Sequence, residues 1–293
     1  MPRRIPDIAV IGAGAAGLAC AERLAERGLQ VQVFDKGRHP GGRIARRARV
    51  GIDFEHGAPG RGELVDRLTG RVPVLSRSCV TDLERTAQGH WRLHVDGQPL
   101  RTLFEAVVLA IPPAQAVDLL AAAPQMAVPL ASVRMQPVLT ALVGLPLPLG
   151  RSLEHIEFHD PALAEARRQA DPATAGGEGW VLHATVAFSR DNLECEPDTV
   201  AMHLWQRFRT NLGVDSPPPI YLRGHRWRYG RTEEALGVPC LHDSALGIGL
   251  CGDWCLGDQV EDALASGRAL AARMLGIPEP PARRSLAAKE GLA

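Results

Sequence analysis

The run Gly12-Ala-Gly14-Ala-Ala-Gly17 constrains this chain more than any other feature. It stands between an apolar run, Ile8-Ala-Val-Ile11, that reads as a buried parallel strand and a helical pattern over residues 15–27. The first glycine permits a tight turn, the second lets the backbone approach a pyrophosphate, and the third lets the helix lie close on the strand. The helix opens at Ala15 and Ala16, where free amides and the helix dipole favour bound phosphate. Gly28 closes it, and residues 30–34 form a second β-branched strand that ends at Asp35, with Lys36 beside it. An acid about 20 residues beyond the glycines can accept hydrogen bonds from an adenosine ribose. Strand, glycine turn, helix, strand and acid together define a dinucleotide-binding βαβ unit.

Which dinucleotide is decided elsewhere in the chain. Gly41-Gly42-Arg43 closely follows the acid, where paired glycines let the backbone pass a cofactor and Arg43 can neutralise phosphate. NAD sites seldom need such a second element. A buried strand over residues 247–251 runs into Gly252-Asp253, and Val260-Glu261 opens a helix over residues 260–275. An acid there can meet the ribityl or phosphate region of a long cofactor, and a helix N-terminus can stabilise charge at the N1/O2 edge of a reduced flavin. FAD is therefore the expected cofactor.

Between these ends the texture changes. Residues 72–95 carry short strands, 74–75, 80–83 and 91–95, that read as a small antiparallel insert before the Asp96-Gly97 turn. Residues 105–110 read as a strand returning to the parallel sheet and stopped by Pro112-Pro113. Strands at 140–145 and 180–188 and a helix at 199–212 follow. The expected organisation is α/β: a doubly wound, parallel-sheet FAD-binding domain of residues 1–115 and 246–277, an inserted α+β substrate domain of residues 116–245, and a disordered tail of residues 278–293.

Gly12 to Gly17, Asp35, Gly42-Arg43, Gly252-Asp253 and Val260-Glu261 together resemble the FAD-binding pattern of the amine-oxidase and renalase-like superfamily. Trp180-Val-Leu-His-Ala-Thr185, Ser189-Arg-Asp-Asn-Leu193, His225-Arg-Trp227 with Tyr229, and Cys251-Gly-Asp-Trp-Cys255 resemble bacterial renalases in particular. The resemblance implies adenine held by backbone groups at Val80, and Ala110 to Pro112 passing close to the cofactor. It implies an oxidase that takes hydride from a small reduced nicotinamide-type substrate and passes electrons to oxygen. Two departures stand out. Arg61-Gly-Glu-Leu-Val65 follows Asp53-Phe-Glu-His-Gly57 almost at once, where relatives carry a longer substrate-side cover, so a more open flavin or a homodimer that covers it is expected. Residues 161–167 lack the Trp and Asn of renalases.

Composition excludes other classes. Basic and acidic residues number 33 each, so nothing attracts a nucleic acid. Cys20, Cys79, Cys195, Cys240, Cys251 and Cys255 show no disulfide or zinc spacing, and no metal is expected. The apolar run at residues 8–11 is too short for a signal core or a membrane span, so a soluble cytoplasmic protein is expected. Only Lys36 and Lys289 are lysines, which disfavours a lysine-assisted amine oxidase. His183 and Thr185 alternate along a strand and either face a ligand or are satisfied by neighbouring backbone. Trp227 and Tyr229 are candidates for the substrate wall or for a domain interface. The cysteines are expected as structural thiols, leaving FAD non-covalent. Two alternatives stay open: a flavin oxidoreductase or amine oxidase acting on another small metabolite, and an FAD-holding protein without turnover that docks a partner.

Overall fold

Strand β1 (Ile8–Ile11) sends Ile8 and Val10 into one core and Ala9 and Ile11 into another, so both faces of the sheet it centres are covered. The computed structural model describes residues 7–49, 52–55, 61–150, 153–169, 177–213 and 217–277, and the expected disordered tail, residues 278–293, lies outside them. After β1 come α1 (Ala15–Ala25), β2 (Val31–Phe34), the hairpin β3 (Arg46–Arg49) and β4 (Ile52–Glu55), α2 (Arg61–Thr69) and β5 (Val74–Leu75). Strands β6 (Val80–Arg85), β7 (Trp91–Val95) and β8 (Gln98–Phe104) form an antiparallel meander, and β9 (Ala106–Leu109) and α3 (Pro113–Asp118) follow.

The remaining elements are β10 (Arg134–Leu145), β11 (His155–Glu157), β12 (Leu163–Gln169), β13 (Glu178–Ala184), α4 (Val186–Asp191), α5 (Pro197–Leu212), β14 (Tyr221–Glu234), β15 (Leu241–Asp243), β16 (Ile248–Leu250) and α6 (Val260–Met274). The first sheet has the order β15-β16-β9-β1-β2-β5 and is parallel except for β15. Helices α1, α2 and α6 cover one face, and the meander with α3 covers the other. The fold is thus α/β and doubly wound, with strand order reversing beside β1, the place where such sheets open a crevice at the carboxyl ends of their strands.

Close helix contact is built from small residues. A Cβ on Gly267 of α6 would strike the carbonyl of Ala16 in α1, and one on Gly17 would strike the carbonyl of Gly12. Trp91 and Trp254 are fully buried beneath the sheet, their Nε1 groups donating to the carbonyls of Leu246 (2.9 Å) and Ile111 (3.1 Å). Each contributes about 4–6 kcal/mol through roughly 150–250 Å² of buried surface.

The second sheet is antiparallel, in the order β11-β12-β13-β10-β14. One face packs Leu139, Ala141, Trp180 and Leu182 against Leu204, Trp205 and Phe208 of α5. Part of the opposite face is covered by Ile52 and Phe54 of β4, which meet Leu142 and Val181, and the rest looks onto the first sheet.

The structure corrects two expectations. Val74–Leu75 belongs to the parallel sheet rather than to the antiparallel insert, pairing Val33 with Val74 and Phe34 with Leu75. Two residues are too few for a pattern to reveal their partner, but a strand reached from β2 through α2 returns parallel by a right-handed crossover. The strand expected over residues 180–188 ends at Ala184, because Thr185 caps α4.

Candidate active site

The carboxyl ends of β1, β2, β9 and β16 deliver Gly12, Asp35, Ala110 and Gly252 to a single cleft of ≈ 1130 Å³, walled on its far side by β10, β12, β13 and β14. Small-molecule sites usually enclose about 300–1,000 Å³. This one leaves room for a long cofactor and a substrate beside it.

The glycine turn meets its steric demands in different ways. Gly12 has φ +103°, and a Cβ there would strike the carbonyl of Ala110. Gly14 is the N-cap of α1, adopts ordinary extended angles, and would place a Cβ in open space within the cleft. No side chain caps α1, so its first amides, at Ala15 and Ala16 on the cleft wall, remain available to an anion. Asp35 ties the unit together, its carboxylate accepting from the amides of Ala13 and Gly37 at 2.6 Å each. Lys36 donates to Gln115 Oε1 at 3.1 Å, and both line the cleft near Val80.

Gly41 and Gly42 both have positive φ, +103° and +55°, which explains the glycine pair, and the Gly41 amide donates to the Ala13 carbonyl at 2.7 Å. They aim Arg43 across the cleft floor to Asp253 Oδ1 at 2.6 Å, while its second nitrogen donates to the Gly230 carbonyl at 2.9 Å. Thr232 Oγ1 donates to the other Asp253 oxygen at 3.2 Å. The Gly252 amide donates to buried Ser266 Oγ at 3.0 Å, fixing the loop to α6. At the start of α6, Gln259 and Asp262 form a capping box, and Val260 reaches the cleft.

On the opposite wall one row of side chains crosses four strands. Register places Glu165 beside His183, His183 beside Thr140, and Thr140 beside His225. His225 and Trp227 lie with ring centroids 4.1 Å apart, and Tyr229 lines the same wall. Glu165 receives His155 Nε2 at 2.8 Å, Arg167 at 3.0 Å and Arg231 at 3.4 Å. His183 Nδ1 stands 3.1 Å from Glu165 Oε1 but off the axis of a directed hydrogen bond. Burial would raise the Glu165 pKa, yet His183, Arg167 and His155 outweigh it and hold the carboxyl far below the usual range.

Of the residues singled out in the sequence, Gly12, Gly14, Ala15, Ala16, Asp35, Lys36, Gly42, Arg43, Val80, Ala110, Gly252, Asp253, Val260, His183, Trp227 and Tyr229 all line this cleft. Three do not. Gly17 lies beneath the turn, Glu261 is exposed on the second residue of α6, and Thr185 donates to the Pro161 carbonyl at 2.8 Å while capping α4. Glu165 and Arg231 line the cleft with no local signal in the sequence, because only strand register brings them to the wall, and fully buried Thr140 stands between His183 and His225 in the same row. Cys251 and Cys255 are buried and off the cleft. The neighbouring Cys20 thiol and burial push the Cys251 pKa up, and burial pushes that of Cys255 up to about 12. Among the described residues no cluster could hold a metal, and no helix is long and apolar enough to cross a membrane.

Uncapped amides at a glycine turn, open space over Gly14 and a ribose-side acid fit an extended dinucleotide, and the second motif at Arg43 and Asp253 fits its continuation toward a flavin. The two sheets thus enclose a cleft of the kind that holds an extended flavin cofactor. Residues 57–275 match the family described as flavin containing amine oxidoreductase, and residues 10–60 match the NAD(P)-binding Rossmann-like domain. The chain belongs to the flavin containing amine oxidoreductase family, and its cofactor is FAD.

Among solved structures it is similar to a cyclohexylamine oxidase from Brevibacterium oxydans IH-35A, with TM-score 0.72, 11% identity, and coverage of 93% of this chain and 99% of that one. A putrescine oxidase with a redesigned cofactor site gives TM-score 0.72, 12% identity, and coverage of 92% and 99%. A curated relative, the 4,4'-diapophytoene desaturase (4,4'-diaponeurosporene-forming) of Staphylococcus haemolyticus (strain JCSC1435), is 48% identical over 50 residues, which are 17% of this chain and 10% of that protein. The chain thus spans about a tenth of the length of the curated relatives it matches.

Proposed function

We propose that the protein is a renalase-like oxidase of small, reduced nicotinamide-type donors, with non-covalent FAD and oxygen as electron acceptor. When bound, FAD supplies the two-electron chemistry, accepting hydride and passing electrons on. The chain positions the donor, excludes water and sets the local charge.

One observation carries the choice of donor. On the face of the second sheet that looks into the cleft, Arg167 and Arg231 stand against the single carboxylate of Glu165, which both of them and His155 already engage. Arg226 and Arg228 alternate with His225, Trp227 and Tyr229 along β14 and pair with Glu194 on the opposite face of the sheet. A substrate ammonium group would meet two arginines on this wall and find its one carboxylate already committed, whereas a neutral or anionic heterocycle meets no such penalty. Lys36 is engaged at the nucleotide end, so no lysine among the described residues stands over the flavin region. Residues 180–184 and 225–229 of the renalase-like motifs lie on the two strands of this wall that flank β10.

Anaerobic stopped-flow mixing of the purified yellow protein with dihydronicotinamide isomers and with simple amines tests the reading. Rapid bleaching by at least one dihydronicotinamide and none by amines is expected. Bleaching by amines alone overturns it.

A further inference from the structure

We propose that Glu165 is a positioning residue for substrate binding: its carboxylate fixes the His183 ring with Nδ1–H turned into the sheet and Nε2 presented to the cleft as a hydrogen-bond acceptor. The group it would receive is a polar N–H on the substrate, such as the carboxamide of a reduced nicotinamide. Only the identity of that N–H rests on the function proposed above.

The geometry is specific. His183 is 8% exposed and lies on the cleft wall in the middle of the row, flanked by Glu165 on β12 and Thr140 on β10. Its Nδ1 is buried, with Glu165 Oε1 at 3.1 Å. An ionised carboxylate offers only lone pairs, so a proton on Nδ1 is attracted to it and a bare nitrogen there is repelled. In the neutral ring the proton can occupy one nitrogen only, and placing it on Nδ1 leaves Nε2 as an acceptor. Glu165 is itself immobilised, because His155 of β11, Arg167 of its own strand and Arg231 of β14 converge on its two oxygens. The further titratable groups on this face among the described residues are His225, one position beyond Thr140, and Tyr229 on the same strand as His225. Thr140 Oγ1 donates to the His225 carbonyl at 3.4 Å, so its hydroxyl proton is directed away from the His183 ring.

A carboxylate held far below its usual range cannot serve readily as a base, which leaves orientation of its neighbour as the function its placement supports.

The test uses FAD-loaded protein labelled with ¹⁵N-histidine. Two-bond ¹H–¹⁵N correlation spectra distinguish the Nδ1–H and Nε2–H tautomers, and His183→Gln identifies the signal by its loss. At a pH that leaves imidazoles neutral, His183 is expected as the Nδ1–H tautomer in the parent protein and as a mixture in Glu165→Gln, with Glu165→Asp restoring the parent pattern. A parent Nε2–H tautomer, or a pattern unchanged in Glu165→Gln, overturns the proposal. In stopped-flow reduction by a dihydronicotinamide, Glu165→Gln should weaken apparent donor binding roughly tenfold, the worth of one hydrogen bond, and alter the limiting rate less than about twofold. Equal losses in both quantities would also overturn it. If Glu165→Gln does not fold, the parent and Glu165→Asp spectra still decide. Because the tautomer is read without any donor, failure of dihydronicotinamides to bleach the flavin would refute the proposed function and leave this result standing.

Discussion

The Arg43 guanidinium and the Asp253 carboxylate meet at 2.6 Å, joining the glycine pair after β2 to the loop after β16. Two motifs far apart in the sequence thereby become one wall of the cofactor cleft. Asp253 is nearly buried, but Arg43 keeps 35% of its side chain exposed, so water screens the pair in part.

Asp253→Ala removes the partner of Arg43 and of Thr232 together. Breaking a fully buried pair costs about 3–5 kcal/mol, and the partial exposure here reduces the expected loss to about 2 kcal/mol. The larger effect should fall on the cofactor. The flavin-to-protein absorbance ratio after gel filtration should drop in Asp253→Ala and stay at the parent value in Glu261→Ala, whose side chain is exposed and off the cleft. An equal loss in both would show that Asp253 has no special part in holding the flavin.

The glycines separate folding from binding. Gly14→Ala places its methyl in open space at an ordinary backbone conformation, so the protein should fold with an unchanged thermal midpoint when both are stripped of flavin, yet bind FAD at least tenfold more weakly. Gly17→Ala drives a methyl into the Gly12 carbonyl and should fail to accumulate as folded protein. Fluorescence titration with FAD and far-UV circular dichroism distinguish the two outcomes. Normal FAD binding by Gly14→Ala would contradict the placement of the pyrophosphate.

Acid sensitivity should trace to the second sheet and the helix α5 packed on it. Burial would raise the Asp160 pKa, but Arg207, Asn211 and the amides of Leu163 and Ala162 together hold it far below its ordinary 3.8. A carboxyl depressed in the folded state contributes stability that is fully present above the unfolded value and lost as pH falls below it. Urea denaturation at about pH 7 should therefore show Asp160→Asn less stable than the parent by about 2 kcal/mol, and the gap should narrow at about pH 3. A gap that widened on acidification would reverse the assignment.

What could be read in the sequence follows from how local each signal is. The glycine turn and Asp35 lie within one βαβ unit whose chemistry is fixed by short spacing, and the cleft is built around them. Ser266 and Gly267 could not be singled out, since their value lies in what α6 touches in space: the Gly252 amide and the backbone of Ala16. Glu165 was hidden for a related reason. Leu163–Gln169 reads Leu-Ala-Glu-Ala-Arg-Arg-Gln, residues that favour helix, and only pairing with β13 makes it a strand that turns the acid to the cleft. His183 and Thr185 share a strand parity, but the chain leaves the sheet after Ala184, and that single step separates a cleft residue from a helix cap.

The chemistry of the proposed donor sets the last expectation. A dihydronicotinamide already carries the electron pair that its ring expels on aromatising, so hydride transfer needs alignment of the donor carbon with the flavin and no removal of a proton by a side chain. The wall fits that demand, offering the His225 and Trp227 rings and the His183 edge as surfaces that orient a flat heterocycle. The helix starting at Val260 places its positive end at the cleft, where negative charge grows on reduction. The limiting rate of anaerobic reduction should therefore stay within about twofold between roughly pH 6 and 9, the span over which a catalytic histidine or a perturbed lysine would titrate. His183→Gln should raise the donor concentration needed for half-saturation while leaving that limiting rate and its flat profile in place. A limiting rate that climbs tenfold across this range and loses its slope in His183→Gln would show that the imidazole removes a proton in the rate-setting step, and alignment alone would then not account for the transfer.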